Sequence, residues 1–145
     1  MVRSVLAVSA AAMVVLPAAA APAIVRVEAA PGISVVLPPG WHLTREVISS
    51  CDEPRQVLAA RARDGSLVLL LEDHTPSVRL PSRPAQFRVP RRMTSFEGCC
   101  DMPTGPGYDF VFRDRGRNFH AFVYPRGRGA RPSVDLLSSL RVARI

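Results

Sequence analysis

The stretch 108–124, YDFVFRDRGRNFHAFVY, decides the fold class. Tyr108, Phe110 and Phe112 alternate with Asp109, Val111 and Arg113, and Phe119, Ala121 and Val123 alternate again after a polar break. A period of two places alternate side chains on opposite faces of a strand, so each half reads as a half-buried strand. With Arg115-Gly116 as a two-residue turn, Phe112 faces Phe119, Phe110 faces Ala121 and Tyr108 faces Val123. Those six are the expected core face. The opposite face then pairs Val111 with His120 and Asp109 with Phe122, leaving His120 within diagonal reach of Asp109.

Downstream, 125–131 is a Gly/Arg loop. Pro132 suits the first position of a helix, where its missing N–H is no loss. Val134, Leu137 and Leu140 then share one face, which predicts a short C-terminal helix. Upstream, Asp64-Gly65 is a hairpin signal between residues 56–63 and the Leu/Val run 66–72. That run reads as a central, well-buried strand. Residues 33–37 form a short apolar strand broken by Pro38-Pro39-Gly40, and Trp41 opens another stretch to about residue 48. Residues 75–92 contain Pro76, Pro81, Pro84 and Pro90, which exclude a central strand or helix interior. They read as an extended edge segment with a short strand around Phe87, followed by a further strand within 93–100.

The ends set the boundaries. Met1 to Ser4 carries the positive charge of Arg3, and 5–16 is uncharged. Pro17 and the small residues Ala18 to Ala21 follow. This is the order of a secretory signal peptide, with cleavage expected after Ala20. Pro17 interrupts the apolar run short of the roughly 20 residues a spanning helix needs, so no transmembrane segment is expected after processing. Residues 1–20 are the leader, 21–32 a lead-in, and 33–145 a single domain, since about 125 residues suffice for one core and not two. The expected location is secreted or extracytoplasmic, in the cell envelope.

Three cysteines, Cys51, Cys99 and Cys100, lie in the exported part, where disulfides persist. An odd number leaves one unpaired within the chain. Strand parity with Phe96 favours Cys51–Cys100, and a bulge at Gly98 would present Cys99 instead. Glu97 and Asp101 flank the adjacent pair and oppose thiolate formation, which argues against thiol redox catalysis.

All 19 basic residues are Arg. Residues 21–75 carry five Arg and seven acids, whereas 76–145 carry thirteen Arg and five acids. Within that basic half, Arg79, Arg83, Arg88, Arg91 and Arg92 occur in a stretch free of acids, and Arg126, Arg128 and Arg131 form a second cluster. Guanidinium groups grip phosphate and carboxylate in pairs of hydrogen bonds, so these eight are the candidate patch for an anionic envelope polymer or a lipid headgroup. A protein partner is the other expectation. Nucleic acid is disfavoured by the leader and by the absence of aromatics interleaved with the arginines.

No G-x-S-x-G, H-E-x-x-H, phosphate-cradling Gly loop or C-x-x-C occurs, and His42, His74 and His120 show no ligand spacing. No cofactor or metal is therefore expected. Glu72-Asp73-His74 reads as a solvated strand end, because adjacent strand residues point to opposite faces. The expected function is a non-catalytic binding or interaction domain. The alternative is an envelope hydrolase or thiol-dependent enzyme whose site is assembled from distant residues.

Pro39-Gly40-Trp41, the hairpin carrying Gly116-Arg117 between Phe112 and Phe119, and the closing Leu136-Leu137-Ser138-Ser139-Leu140-Arg141-Val142 resemble small exported actinobacterial proteins of unknown function. More distantly, over residues 33–142, the strand followed by Pro-Gly-Trp and the terminal Ser-Leu helix resemble the PsbP/Mog1-like fold. That resemblance implies an α+β domain with a non-catalytic binding or assembly role. It brings no active-site motif with it, and fold likeness alone assigns no function. The fold expected from all of this is α+β: an antiparallel β-sheet with a short C-terminal helix, disulfide-stabilised, after a cleaved signal peptide.

Overall fold

A computed structural model describes residues 18–20, 23–75 and 79–144; the leader expected over 1–20 lies outside them except for its last three residues. In chain order the elements are β1 (Arg26–Ala30), β2 (Ile33–Val36), β3 (Trp41–Leu43), β4 (Arg55–Ala62), β5 (Leu67–Asp73), β6 (Thr94–Phe96), β7 (Gly105–Asp114), β8 (Arg117–Tyr124), α1 (Ala130–Ser138) and β9 (Arg141–Val142). They form a six-stranded sheet in the order β3-β4-β5-β8-β7-β6 and a three-stranded sheet in the order β1-β2-β9. Neighbouring strands pair antiparallel throughout both sheets. Among the described residues no helix is long and apolar enough to cross a membrane.

The β7–β8 hairpin has the register that its alternation predicts, with Tyr108 opposite Val123, Phe110 opposite Ala121 and Phe112 opposite Phe119. Its turn puts Arg115 at φ 50° and Gly116 at φ 85°, and two successive positive values are what a tight hairpin matching the strand twist requires. Phe112, Phe119, Ala121 and Val123 are fully buried. They join Ile33 and Val35 of β2, Val68 and Leu70 of β5, and Val134, Leu136 and Leu137 of α1 in the principal core. The small sheet and the helix thus cover one face of the large sheet.

The other face is also covered. Leu67, Leu69 and Leu71 of β5 pack with Ala59, Tyr124, Ile48 and Met102, and Phe96 and Phe122 close the cluster. A strand buried on both faces has no use for polar alternation, which is why β5 reads as a continuous Leu/Val run. Ile48 and Met102 belong to loops, so this second cluster is roofed by irregular chain.

Several local readings differ from expectation. The expected lead-in supplies β1, pairing Arg26 with Val36 and Val27 with Val35. Arg26 also donates from Nη1 to the Ser139 carbonyl at 2.8 Å, tying β1 to the end of the helix. The helix begins at Ala130, two residues before Pro132, which still falls in the first turn where no internal acceptor awaits its nitrogen. Around Phe87 no strand forms. The proline-rich segment instead makes a parallel bridge, Ser82 to Arg113, and buries the Phe87 ring against Phe110 and Phe112.

Candidate functional site

The Pro38-Pro39-Gly40 break brings Trp41 to the edge of the large sheet. The Trp41 N–H donates to the Pro38 carbonyl at 3.1 Å and the Arg63 N–H to the Gly40 carbonyl at 3.2 Å. Gly40 sits at φ 79°, and the Arg63 stem passes within 4 Å of the point a Cβ there would occupy. Pairing of Trp41 with Ala62 then sets the indole beside the Asp64-Gly65 turn.

The basic loop after β8 is bolted to that same turn. Ser66 is wholly buried, and its hydroxyl accepts from the Arg126 N–H at 2.9 Å while donating to the Arg126 carbonyl at 3.2 Å. Arg128 is thereby brought to the same cleft as Trp41. Pro39, Trp41, Arg63, Asp64, Arg128 and Pro132 wall a cleft of about 450 Å³. That volume falls within the roughly 300–1,000 Å³ of small-molecule sites. Asp64 is the acid in this wall; hydrogen bonds from Ser66 hold its carboxyl below the usual range. Among the described residues neither Arg63 nor Arg128 has a carboxylate in salt-bridge range.

The eight arginines expected as one patch have different surroundings. Arg83 serves the fold: it is half-buried, donates to Asp114 at 3.0 Å and to the Ser138 carbonyl at 2.8 Å. A cation on the last carbonyls of a helix is favourable for its dipole. Arg88 and Arg131 share a second, smaller cleft with Phe87 and Val134. Arg131 also pairs with Asp135 at 3.0 Å, one helical turn on. Arg79, Arg91 and Arg92 are exposed, the last two on the approach to β6, and Arg126 and Arg128 are exposed on the loop before α1.

Cys51 is bonded to Cys100 and Cys99 is free. Parity named the right partner by the wrong route, because β6 stops at Phe96 and the cysteines lie in a turn. Gly98, Cys100 and Asp101 all have positive φ, at 76°, 53° and 65°. This left-handed run swings both neighbouring side chains to the same side, placing the Cys99 sulfur 3.4 Å from that of Cys100 and 3.9 Å from that of Cys51.

The Glu72-Asp73-His74 end of β5 needs correction. Glu72 is not solvated; it is buried and grips Arg117 through both oxygens, at 2.6 and 2.7 Å. His120 does meet Asp109, at 3.4 Å, as the hairpin register predicts. Burial pushes the His120 imidazole below its ordinary value, against the opposing pull of Asp109. The walls of the Trp41 cleft and of the Arg88–Arg131 cleft contain no histidine.

Sequence reasoning missed Trp41 and Arg63 as site residues, since Arg128 meets them through the pairing of Leu67 with Tyr124 and the Ser66 contact. No protein-family model, curated protein or solved structure matches this chain.

Proposed function

We propose that this chain is an exported, non-catalytic binding module of the cell envelope that holds a carboxylated polysaccharide in the Trp41 cleft. One observation carries the reading: an indole and two arginines, neither in salt-bridge range of a carboxylate among the described residues, line a single cleft. An aromatic face takes the apolar C–H side of a sugar ring, and guanidinium groups take its carboxylates through paired hydrogen bonds. The leader pattern of residues 1–20 supports export, and a disulfide suits an oxidising compartment. The resemblance to PsbP/Mog1-like proteins points to the same non-catalytic class.

Trp41 is the sole tryptophan, so its fluorescence reports on this cleft alone. Titration with polygalacturonate at low salt is expected to change that emission saturably. The paired variant Arg63→Gln/Arg128→Gln is expected to lose the response while keeping its circular dichroism. An unchanged emission, or an undiminished response in the variant, overturns the proposal. A response to anionic phospholipid vesicles and none to the polymer reassigns the cleft to a lipid headgroup.

A further inference from the structure

We propose that Cys51, Cys99 and Cys100, once reduced, form a three-thiolate site for one thiophilic metal ion, with zinc as the reference ion. Cys99 sits against the disulfide. Its sulfur flanks both partners of the disulfide at similar distances, 3.4 and 3.9 Å, and all three sulfurs lie within 4.8 Å of one another. Thiolates bound tetrahedrally at about 2.3 Å stand roughly 3.8 Å apart. Two of the three edges of this sulfur triangle therefore already have the span a shared ion requires. Only the Cys51–Cys100 edge must open.

The loops stay together without the disulfide. The Ser50 N–H donates to the Cys100 carbonyl at 2.8 Å, and the Ser50 hydroxyl to the Asp101 carboxylate at 2.8 Å. One residue further in on each side, the chain enters the fold: Ser49 is buried, and Met102 packs with Ile48 in the second core cluster. The Gln56 amide oxygen accepts from the N–H groups of both Ile48 and Ser49, at 2.8 and 3.1 Å. None of these contacts runs through the sulfur bond, so in a folded reduced chain they hold the three thiols within reach of a common centre.

Charge selects the occupant. Asp52, Glu53, Glu97 and Asp101 flank the cysteines along the chain. Such a field disfavours an unaccompanied thiolate and favours a cation. Soft sulfur donors select ions such as zinc and copper(I) over hard ions. Exchange of Cys99 with the disulfide fits the geometry less well. Displacement at sulfur needs approach along the bond, whereas Cys99 stands beside it.

The chemistry balances with one named reductant. A trialkylphosphine takes oxygen from water and becomes its oxide, delivering two electrons and two protons that convert the disulfide into two thiols. The ion then displaces three thiol protons. Disulfide and ion thus exclude one another.

The test uses the phosphine-reduced protein titrated with Cd²⁺, whose thiolate charge-transfer absorbance counts bound sulfurs, and with Zn²⁺ against a chromophoric chelator. One ion per chain with a three-thiolate absorbance is expected, and none for the oxidised protein. Cys99→Ser should keep the disulfide when oxidised. When reduced, it should lose a third of the absorbance and at least the ~10–100-fold in affinity that loss of even an outer-shell partner costs. Circular dichroism runs in parallel. One equivalent of ion should raise the melting temperature of a folded reduced chain, or restore the fold of an unfolded one. Absent charge-transfer absorbance, equal binding by Cys99→Ser, or an ion without effect on the fold overturns the site.

Discussion

Arg117 holds both carboxylate oxygens of Glu72 beneath the turn between β1 and β2. Gly32 lies over the pair, at φ 70°, where an added Cβ would meet the Arg117 Nη1 at 3.3 Å and the Ala143 Cβ at 3.1 Å. The guanidinium also stands 5.6 Å from the centre of the Phe119 ring. The ion pair is therefore sealed between the two sheets. Removing one partner leaves the other charged and desolvated, which costs about 3–5 kcal/mol. Glu72→Ala and Arg117→Ala should each lose about that much in urea denaturation. The combined Glu72→Leu/Arg117→Met should lose clearly less than the sum. Additive losses would show that the two groups do not act as a pair.

His120 gives the fold a pH dependence. Its imidazole is held below its ordinary value in the folded chain, so the unfolded chain takes up the proton first as pH falls. Stability should be unaffected by this group above the unfolded value of about 6.5, decline below it, and stop declining at the folded value. Melting temperatures from pH 7.5 down to 5.5 should fall less steeply in His120→Phe than in the native protein. Asp109→Asn, which removes the opposing pull, should make the decline steeper. Parallel profiles for all three proteins would exclude His120 as the source.

Gly129 couples the core to the ligand cleft. A Cβ there would stand 2.7 Å from the Ser66 Cβ and 2.9 Å from the Arg126 carbonyl, with the Ser66 hydroxyl closer still. Gly129→Ala must push the basic loop off the β4–β5 turn. Overpacking of this kind costs about 1–3 kcal/mol. The expected outcome is a lower melting temperature together with altered Trp41 emission. Loss of stability with native emission would show that the cleft does not depend on this contact.

Closing the 49-residue separation between Cys51 and Cys100 should contribute about 4 kcal/mol by the chain-entropy argument. Cys51→Ala/Cys100→Ala should unfold at correspondingly lower urea, whereas oxidised Cys99→Ser should stay within about 0.5 kcal/mol of the native protein. Mass spectrometry of proteolytic peptides, with and without reductant, should recover residues 51 and 100 in one cross-linked species.

The β7–β8 hairpin was legible because its information is local: a period of two on each side of a turn whose residues tolerate positive φ. The Leu/Val run of β5 announced a buried strand for a related reason. Harder cases depend on distance. Glu72 and Arg117 are 45 residues apart, and nothing beside either one signals a partner, so a charged residue at a strand end reads as solvated. β1, with the sequence RVEAA, has little apolar contrast; it pairs with β2 and packs Val27, Ala29 and Ala30 against the principal core. The cleft was invisible for the same reason as the ion pair: its two arginines are far apart in the chain and meet through the β5–β8 pairing and Ser66. Cys100 could be named as the partner of Cys51, yet the turn that brings Cys99 alongside depends on left-handed residues that no strand pattern foreshadows.

The outermost strands of the large sheet, Trp41–Leu43 and Thr94–Phe96, are three residues each. Beyond the first, the exposed flank of β4 is occupied by its own chain: the Thr44 N–H donates to the Ala59 carbonyl at 2.9 Å, and the Gln56 side chain engages residues 46, 48 and 49. A foreign strand seeking to zip onto this sheet at the β3 border finds only a few amides before the path is blocked. Stubby borders of this sort are how β-rich proteins escape fusing into fibres when crowded together.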